Sequence, residues 1–295
     1  MPRIRVPWWA KICAKLLLSR IPVSYSLFAR LGAFRHGQMA NVDYALEVFQ
    51  DHLSRSGLSS LTGMTCLELG PGDSLTSALL AKGAGASQTF LVDAGSFAQV
   101  EVEVYRRQVS AMVAAGLDCP SIDGVQTSDE MLSQMNAQYL VDGLASLRNI
   151  PDNSVDFVWS QAVLEHVRVG EFDDTLVELH RVMKVGSVAS HRVDLQDHLD
   201  HSLHNLRFST EFWERDWWAN SGFYTNRLRR AEILRRMGDA GFSIVEVCSD
   251  RFLNLPIPRN KMAPEFRDLD DEELGVRGFN VLLKKNGEAH EQAIG

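Results

Sequence analysis

The stretch MTCLELGPGDSLTSALLAKGA (64–84), followed closely by TFLVD (89–93), constrains the chain most. A short apolar run, a turn holding two glycines, a helical apolar pattern and a second short apolar run read as strand, tight turn, helix and parallel strand. The helix is expected to start near Asp73 or Ser74. A β–turn–α–β opening needs a right-handed crossover, and so a mostly parallel sheet with helices on both faces.

Later segments continue the alternation. Residues 41–56 place Val42, Ala45, Leu46, Phe49 and Leu53 at helical spacing with Gly57 as the stop, so a helix is predicted ahead of the first strand. A helix over 99–115 and a third strand near 139–141 come next. VDFVWS (155–160) is a clear fourth strand after the turn IPDNS, and LVELHRVMKVG (176–186) reads as a helix with a glycine stop. SVASHRVDL (187–195), FSIVEVCS (242–249) and GFNVLLKK (278–285) supply the remaining strands, with RLRRAEILRRMGDAGF as a late helix. Two long insertions, near 196–226 and 250–277, interrupt this order. The first carries Phe208, Phe212, Trp213, Trp217, Trp218, Phe223 and Tyr224, which suit either the apolar wall of a lid or a cap packed over the sheet. The expected architecture is a Rossmann-like, doubly wound α/β sheet of seven strands, mostly parallel with an antiparallel last strand. Residues 1–60 would be a basic helical arm, 61–287 the domain, and 288–295 a flexible tail.

With 45% hydrophobic and 23% charged residues, the 295-residue chain has material for a sizeable core. Its formal charge of -8 argues against a general nucleic-acid binder. Cys13, Cys66, Cys119 and Cys248 form no CxxC pair, which fits a reducing cytoplasm. No apolar run reaches the roughly 20 residues that span a bilayer. Residues 1–42 hold Arg3, Arg5, Lys11, Lys15, Arg20, Arg30 and Arg35 but no acidic residue. Trp8, Trp9, Ile12 and Leu16 share a helical face there, suited either to packing on its own domain or to peripheral contact with an anionic membrane. Nothing in the sequence assigns an oligomeric state.

Gly70 and Gly72 allow the turn after the first strand and bring backbone N–H groups close to a ligand. Asp93 follows about twenty residues later, where a carboxylate accepts from both hydroxyls of a ribose. Leu75 stands where a dinucleotide fingerprint has its third glycine, which disfavours a nicotinamide cofactor. CLELGPGDS (66–74) resembles the acidic-x-Gly-x-Gly motif of class I S-adenosylmethionine-dependent methyltransferases, with Ser74 at the place of a third glycine. NSVDFVWSQAVLEHV is similar to the fourth-strand motif of the type 11 branch of that family, and ELHRVMKVGSV to its helix-to-fifth-strand segment. The resemblance implies that S-adenosyl-L-methionine is held by Glu68 at its amino group, by Gly70, Pro71 and Gly72 at the methionine end, and by Asp93 at the ribose. It further implies Asp142 and Gly143 near the adenine and Gln161 beside the sulfonium.

Methyl transfer is an in-line displacement, and positioning alone supplies roughly 7–11 kcal/mol. A hydroxyl acceptor must also lose a proton. His191, at the end of the fifth strand, is the first candidate base, with Asp194 to orient it or hold the acceptor and His166, after the fourth strand, in reserve. Each histidine has a structural alternative, such as bonding a backbone carbonyl. His191, Asp194, Asp197, His198, His201 and His204 do not follow a known zinc spacing, so no metal ligands are assigned. The expected reaction is O-methylation of a sugar, a surface-glycan precursor or a small metabolite. N- or C-methylation and a catalytically inactive cofactor-binding protein are the alternatives.

Overall fold

In a computed structural model, which describes residues 7–10, 12, 39–114, 116–221 and 223–287, the apolar runs become seven strands. These are β1 (Thr65–Leu69), β2 (Gln88–Val92), β3 (Ala137–Leu140), β4 (Val155–Gln161), β5 (Met183–Asp194), β6 (Phe242–Arg251) and β7 (Val276–Lys285). Among the described residues they form one sheet of order β3-β2-β1-β4-β5-β7-β6. β1 to β5 run parallel, and β7 is antiparallel to both β5 and β6. This is the Rossmann-like sheet expected, reversed strand included. Cys66 to Leu69 are all buried because β1 is covered on both faces, which explains an apolar run without alternation. Strand order reverses between β1 and β4, opening a crevice at their carboxyl ends.

Among the described residues, seven helices outside the insertions frame the sheet: α1 (Val42–Arg55), α2 (Thr76–Gly83), α3 (Val102–Ala114), α4 (Ser128–Met135), α5 (Leu144–Arg148), α6 (Val169–Val182) and α7 (Arg230–Asp239). Asn41 caps α1 by accepting from the N–H groups of Asp43 and Tyr44. Its apolar face, Ala45, Val48 and Phe49, packs with Cys66, Phe157 and Trp159 of the sheet. Fully burying a side chain such as Phe49 is worth about 1.5–3 kcal/mol, so α1 belongs to the folded core.

Two boundaries differ from the sequence expectation. α2 begins at Thr76 rather than at Asp73 or Ser74. Leu75 N–H is taken by the Tyr105 hydroxyl at 3.1 Å, and Ser74 Oγ bonds Thr76 Oγ1 at 2.6 Å. These side-chain bonds keep the chain out of the helix until Thr76. α6 ends at Val182, so Gly186, expected as its stop, lies inside β5 with φ +85°. Buried Met183 already pairs with Val155 across the sheet, and this tertiary pairing starts the strand early.

The two insertions pack on each other as one cap. Leu203 and Leu206 of the first are buried with Ile257, Met262 and Phe266 of the second. Arg227, at φ +61°, lies between the Trp213 and Phe266 rings at 4.9 and 5.1 Å. Trp213, Trp218, Phe223 and Tyr224 are buried together, so the aromatic residues mainly build the cap's own core, while Trp217 remains 43% exposed. Ile12 is buried in the same cluster, and Trp8 stacks on His204 at 5.0 Å. At these two positions the arm packs on its own domain; residues 13–38 lie outside the described residues, as does the expected tail. No helix among the described residues is long and apolar enough to cross a membrane.

Candidate active site

The glycine loop leaves β1 with Gly70 at φ +75°, its N–H donating to the Val92 carbonyl at 2.7 Å. A Cβ on Gly70 would lie 2.3 Å from Val163 Cγ2, so the loop rests directly on the segment after β4. Just past β2, Asp93 accepts from Gly72 N–H at 3.0 Å through Oδ2 and from Ala94 N–H at 2.7 Å through Oδ1. Each oxygen keeps a further lone pair for a ligand hydroxyl. Burial pushes the Asp93 carboxyl up to about 6, against the pull of those two N–H groups.

Glu68 is 1% exposed and accepts from Trp159 Nε1–H at 3.1 Å through Oε1, while Oε2 has no hydrogen-bond partner. Burial pushes its carboxyl up to about 7, partly offset by the Ser77 hydroxyl and the Trp159 indole. An orphaned buried carboxylate oxygen beside a glycine turn suits a ligand ammonium. Asp142 and Gly143 lie at the carboxyl end of β3. Gly143 N–H donates to the Asp93 carbonyl at 2.8 Å, and Asp142 N–H to Ser146 Oγ at 2.9 Å. Gly143 adopts φ +52° and ψ -122°, which a side chain would strain, although a Cβ there would meet Ala94 Cα at an ordinary 3.6 Å. Pro71 lies between the two loop glycines and is buried. Glu68, the glycine loop, Asp93, Asp142 and Gly143 therefore line adjoining strand ends.

Gln161 ends β4, and its Oε1 accepts from His52 Nε2–H at 3.2 Å. Because Nε2 carries the proton, His52 Nδ1 accepts from the Ser190 hydroxyl at 2.8 Å. His52 went unnoticed in the sequence; its only signal is its place on the buried face of α1, beside Val48 and Phe49. Burial first, then the charges of Arg55 and His191, hold its imidazole down to about 3. A depressed folded pKa stabilises above the unfolded value near 6.5, and that contribution fades as pH falls toward about 3. Relative to His52→Gln, which does not titrate, the native protein should therefore lose ~2 kcal/mol of stability between pH 7.5 and pH 5. Denaturant titrations at both pH values check this; a pH-independent difference would mean that His52 is solvated.

The candidate catalytic residues separate. His191 lies within β5 rather than at its end, is 0% exposed, and bonds Ser160 Oγ through Nδ1 at 2.7 Å. Burial holds it down to about 4, and Nε2 has no partner. Asp194 ends β5 and accepts from Gln196 N–H at 2.9 Å, capping the next turn. His166 is exposed on the turn Leu164–His166, where Nδ1–H donates to the Tyr224 carbonyl at 2.9 Å. Its neighbour Glu165, which sequence reasoning missed, is 1% exposed with both carboxylate oxygens unpartnered. The cap holds this turn, since Asn226 N–H donates to the Glu165 carbonyl at 2.7 Å. Among the described residues weighed as a metal set, His198 alone brings a ligand atom within 4.8 Å of those of both Glu165 and His166. Asp197 instead binds the N–H groups of Leu199, Asp200 and His204.

Residues 67–190, running from within β1 to within β5, match the type 11 methyltransferase domain family. The chain is an S-adenosylmethionine-dependent methyltransferase. Among solved structures, the methyltransferase resembles the Haloferax volcanii complex between the Trm112 methyltransferase activator and its methyltransferase, at 18% identity and a TM-score of 0.46, covering 85% of this chain and 96% of the other. A Mesorhizobium loti S-adenosylmethionine-dependent methyltransferase is 15% identical with a TM-score of 0.44, covering 78% and 95% of the two chains. Haemonchus contortus phosphoethanolamine N-methyltransferase 2, in complex with S-adenosyl-L-methionine, is 12% identical with a TM-score of 0.46, covering 81% of this chain and 52% of that one. These likenesses concern the fold alone. No curated protein sequence matches the methyltransferase.

Proposed function

We propose that the methyltransferase O-methylates a hydroxyl of a small polar metabolite or sugar, with His166 on the proton-accepting side of the acceptor. The convergence of Glu165, His166 and His198 beyond the end of β4 carries this reading. His166 Nδ1–H is committed to a backbone carbonyl, which fixes the tautomer and leaves the lone pair on Nε2. His191, sealed within β5, supports the strand end through Ser160, and Asp194 shapes the turn behind it.

On the cofactor side, Glu68 would bind the ammonium, the Gly70–Pro71–Gly72 loop the methionine end, Asp93 the ribose, Asp142 and Gly143 the adenine edge, and Gln161 the sulfonium side. When bound, S-adenosylmethionine supplies an electrophilic methyl group whose sulfur leaves as a neutral thioether. The residues' own task is alignment and exclusion of water.

Screening hydroxyl-bearing acceptors with methyl-labelled cofactor tests the reaction; label recovered only on nitrogen or carbon would replace the O-methyl reading. Calorimetry tests the cofactor site. Asp93→Ala should weaken S-adenosylmethionine binding by about 1–3 kcal/mol, roughly 5- to 150-fold, with the fold retained. Unchanged affinity in a folded variant would remove Asp93 from the ribose.

A further inference from the structure

We propose that Glu165, His166 and His198 form a binding site for one divalent first-row transition-metal ion, of which zinc is the test case. Their ligand-capable atoms lie within 4.8 Å of one another. A tetrahedral ion with bonds of about 2.0–2.1 Å separates its ligands by roughly 3.3–3.5 Å, so closure needs movements of about an ångström. Closure would fall mainly to His198 on its exposed loop, since the Tyr224 carbonyl holds the His166 ring.

Three features support the site. First, the Glu165 side chain is buried, with neither carboxylate oxygen hydrogen-bonded, and a native protein seldom leaves such a group without a reason. Second, His166 donates Nδ1–H to the Tyr224 carbonyl at 2.9 Å. A bond of this kind is the outer-sphere contact that orients a ligating histidine and sets its tautomer. Third, His198 is set by its own loop: buried Asp197 accepts from Leu199 N–H at 3.0 Å, Asp200 N–H at 2.8 Å and His204 N–H at 2.6 Å. The His198 ring meets the His166 ring at 4.7 Å between centroids and 86° between planes.

Two imidazoles and one carboxylate favour a zinc-like ion over calcium or magnesium, which prefer all-oxygen shells. Three protein ligands leave a coordination position open to water or to an acceptor oxygen. The inference rests on the acceptor-side reading above only for its link to methylation: with an ion bound, His166 would serve as a ligand instead of as the base, the ion would acidify the acceptor hydroxyl, and the proton would pass to water as the oxygen takes the methyl group.

The test uses the full chain, stripped with chelator and titrated with zinc by calorimetry, and with cobalt(II) by absorption. One saturable equivalent per chain and tetrahedral cobalt bands are expected. His198→Ala, at an exposed position, should weaken zinc binding by at least the about 10–100-fold typical of losing an outer-sphere partner. Glu165→Gln should do the same, and His201→Ala on the same loop should not. Absence of a saturable equivalent in the folded native protein overturns the site, as does unchanged affinity in both His198→Ala and His166→Ala. S-adenosylmethionine calorimetry on the same samples separates the two readings: cofactor binding without zinc binding removes the metal site and leaves the methyltransferase reading intact.

Discussion

His166→Ala should lower methyl transfer to a hydroxyl acceptor by about 10²–10⁴-fold while S-adenosylmethionine affinity stays within about twofold. The expectation follows from three properties found together only in His166 among the candidate bases. Its ring is exposed, its tautomer is set by the Tyr224 carbonyl, and its turn is fastened to the cap through Asn226. His191 has neither exposure nor a route to solvent, and burial already holds it down to about 4. His191→Ala should therefore act through packing: it removes the Ser160 partner and leaves a buried gap, so lost turnover should track lost folded protein. Single-turnover rates with labelled cofactor, beside thermal denaturation of each variant, separate these cases. If His166→Ala retains its rate and folded His191→Ala loses it, the proton leaves on the β5 side; if neither slows a chemistry-limited reaction, positioning alone accounts for the rate.

Gly70→Ala should destabilise the protein by about 2–5 kcal/mol and abolish measurable cofactor binding. A side chain at φ +75° carries a backbone penalty of roughly 1–2 kcal/mol. The new Cβ would also stand 2.3 and 2.7 Å from the two Val163 methyl carbons and 3.1 Å from its Cβ, so rotating valine brings no relief. Overpacking of this kind costs about 1–3 kcal/mol more. For a chain of this size the sum corresponds to a drop of roughly 3–8 °C in melting temperature. The double variant Gly70→Ala with Val163→Ala should recover the packing part but not the backbone part. A single variant that melts like the native protein would show that the loop does not rest on Val163.

The β1–turn–α2–β2 unit was legible from residue order because its geometry is local. Apolar runs of strand length, glycines where the chain turns and an acid at the next strand end are each dictated by neighbours in sequence. The same reasoning reached all seven strands and the reversed last strand, and it erred where pairing across the sheet competed with local signals. Gly186 looks like a helix stop by itself, but Met183 pairs with Val155 before the chain reaches it. The aromatic residues of the insertion illustrate a second limit. Composition is the same for a pocket wall and for a buried core, and only the packing of Trp213 and Trp218 against Phe223 shows that these side chains mainly cover each other. Contacts between distant segments were decided by the tertiary structure alone: His52 beneath Gln161, Tyr224 behind His166, and His198 beside Glu165. No periodicity encodes these meetings, because each depends on how two separately stable elements dock, and docking is set by the shape and burial of whole faces rather than by spacing along the chain.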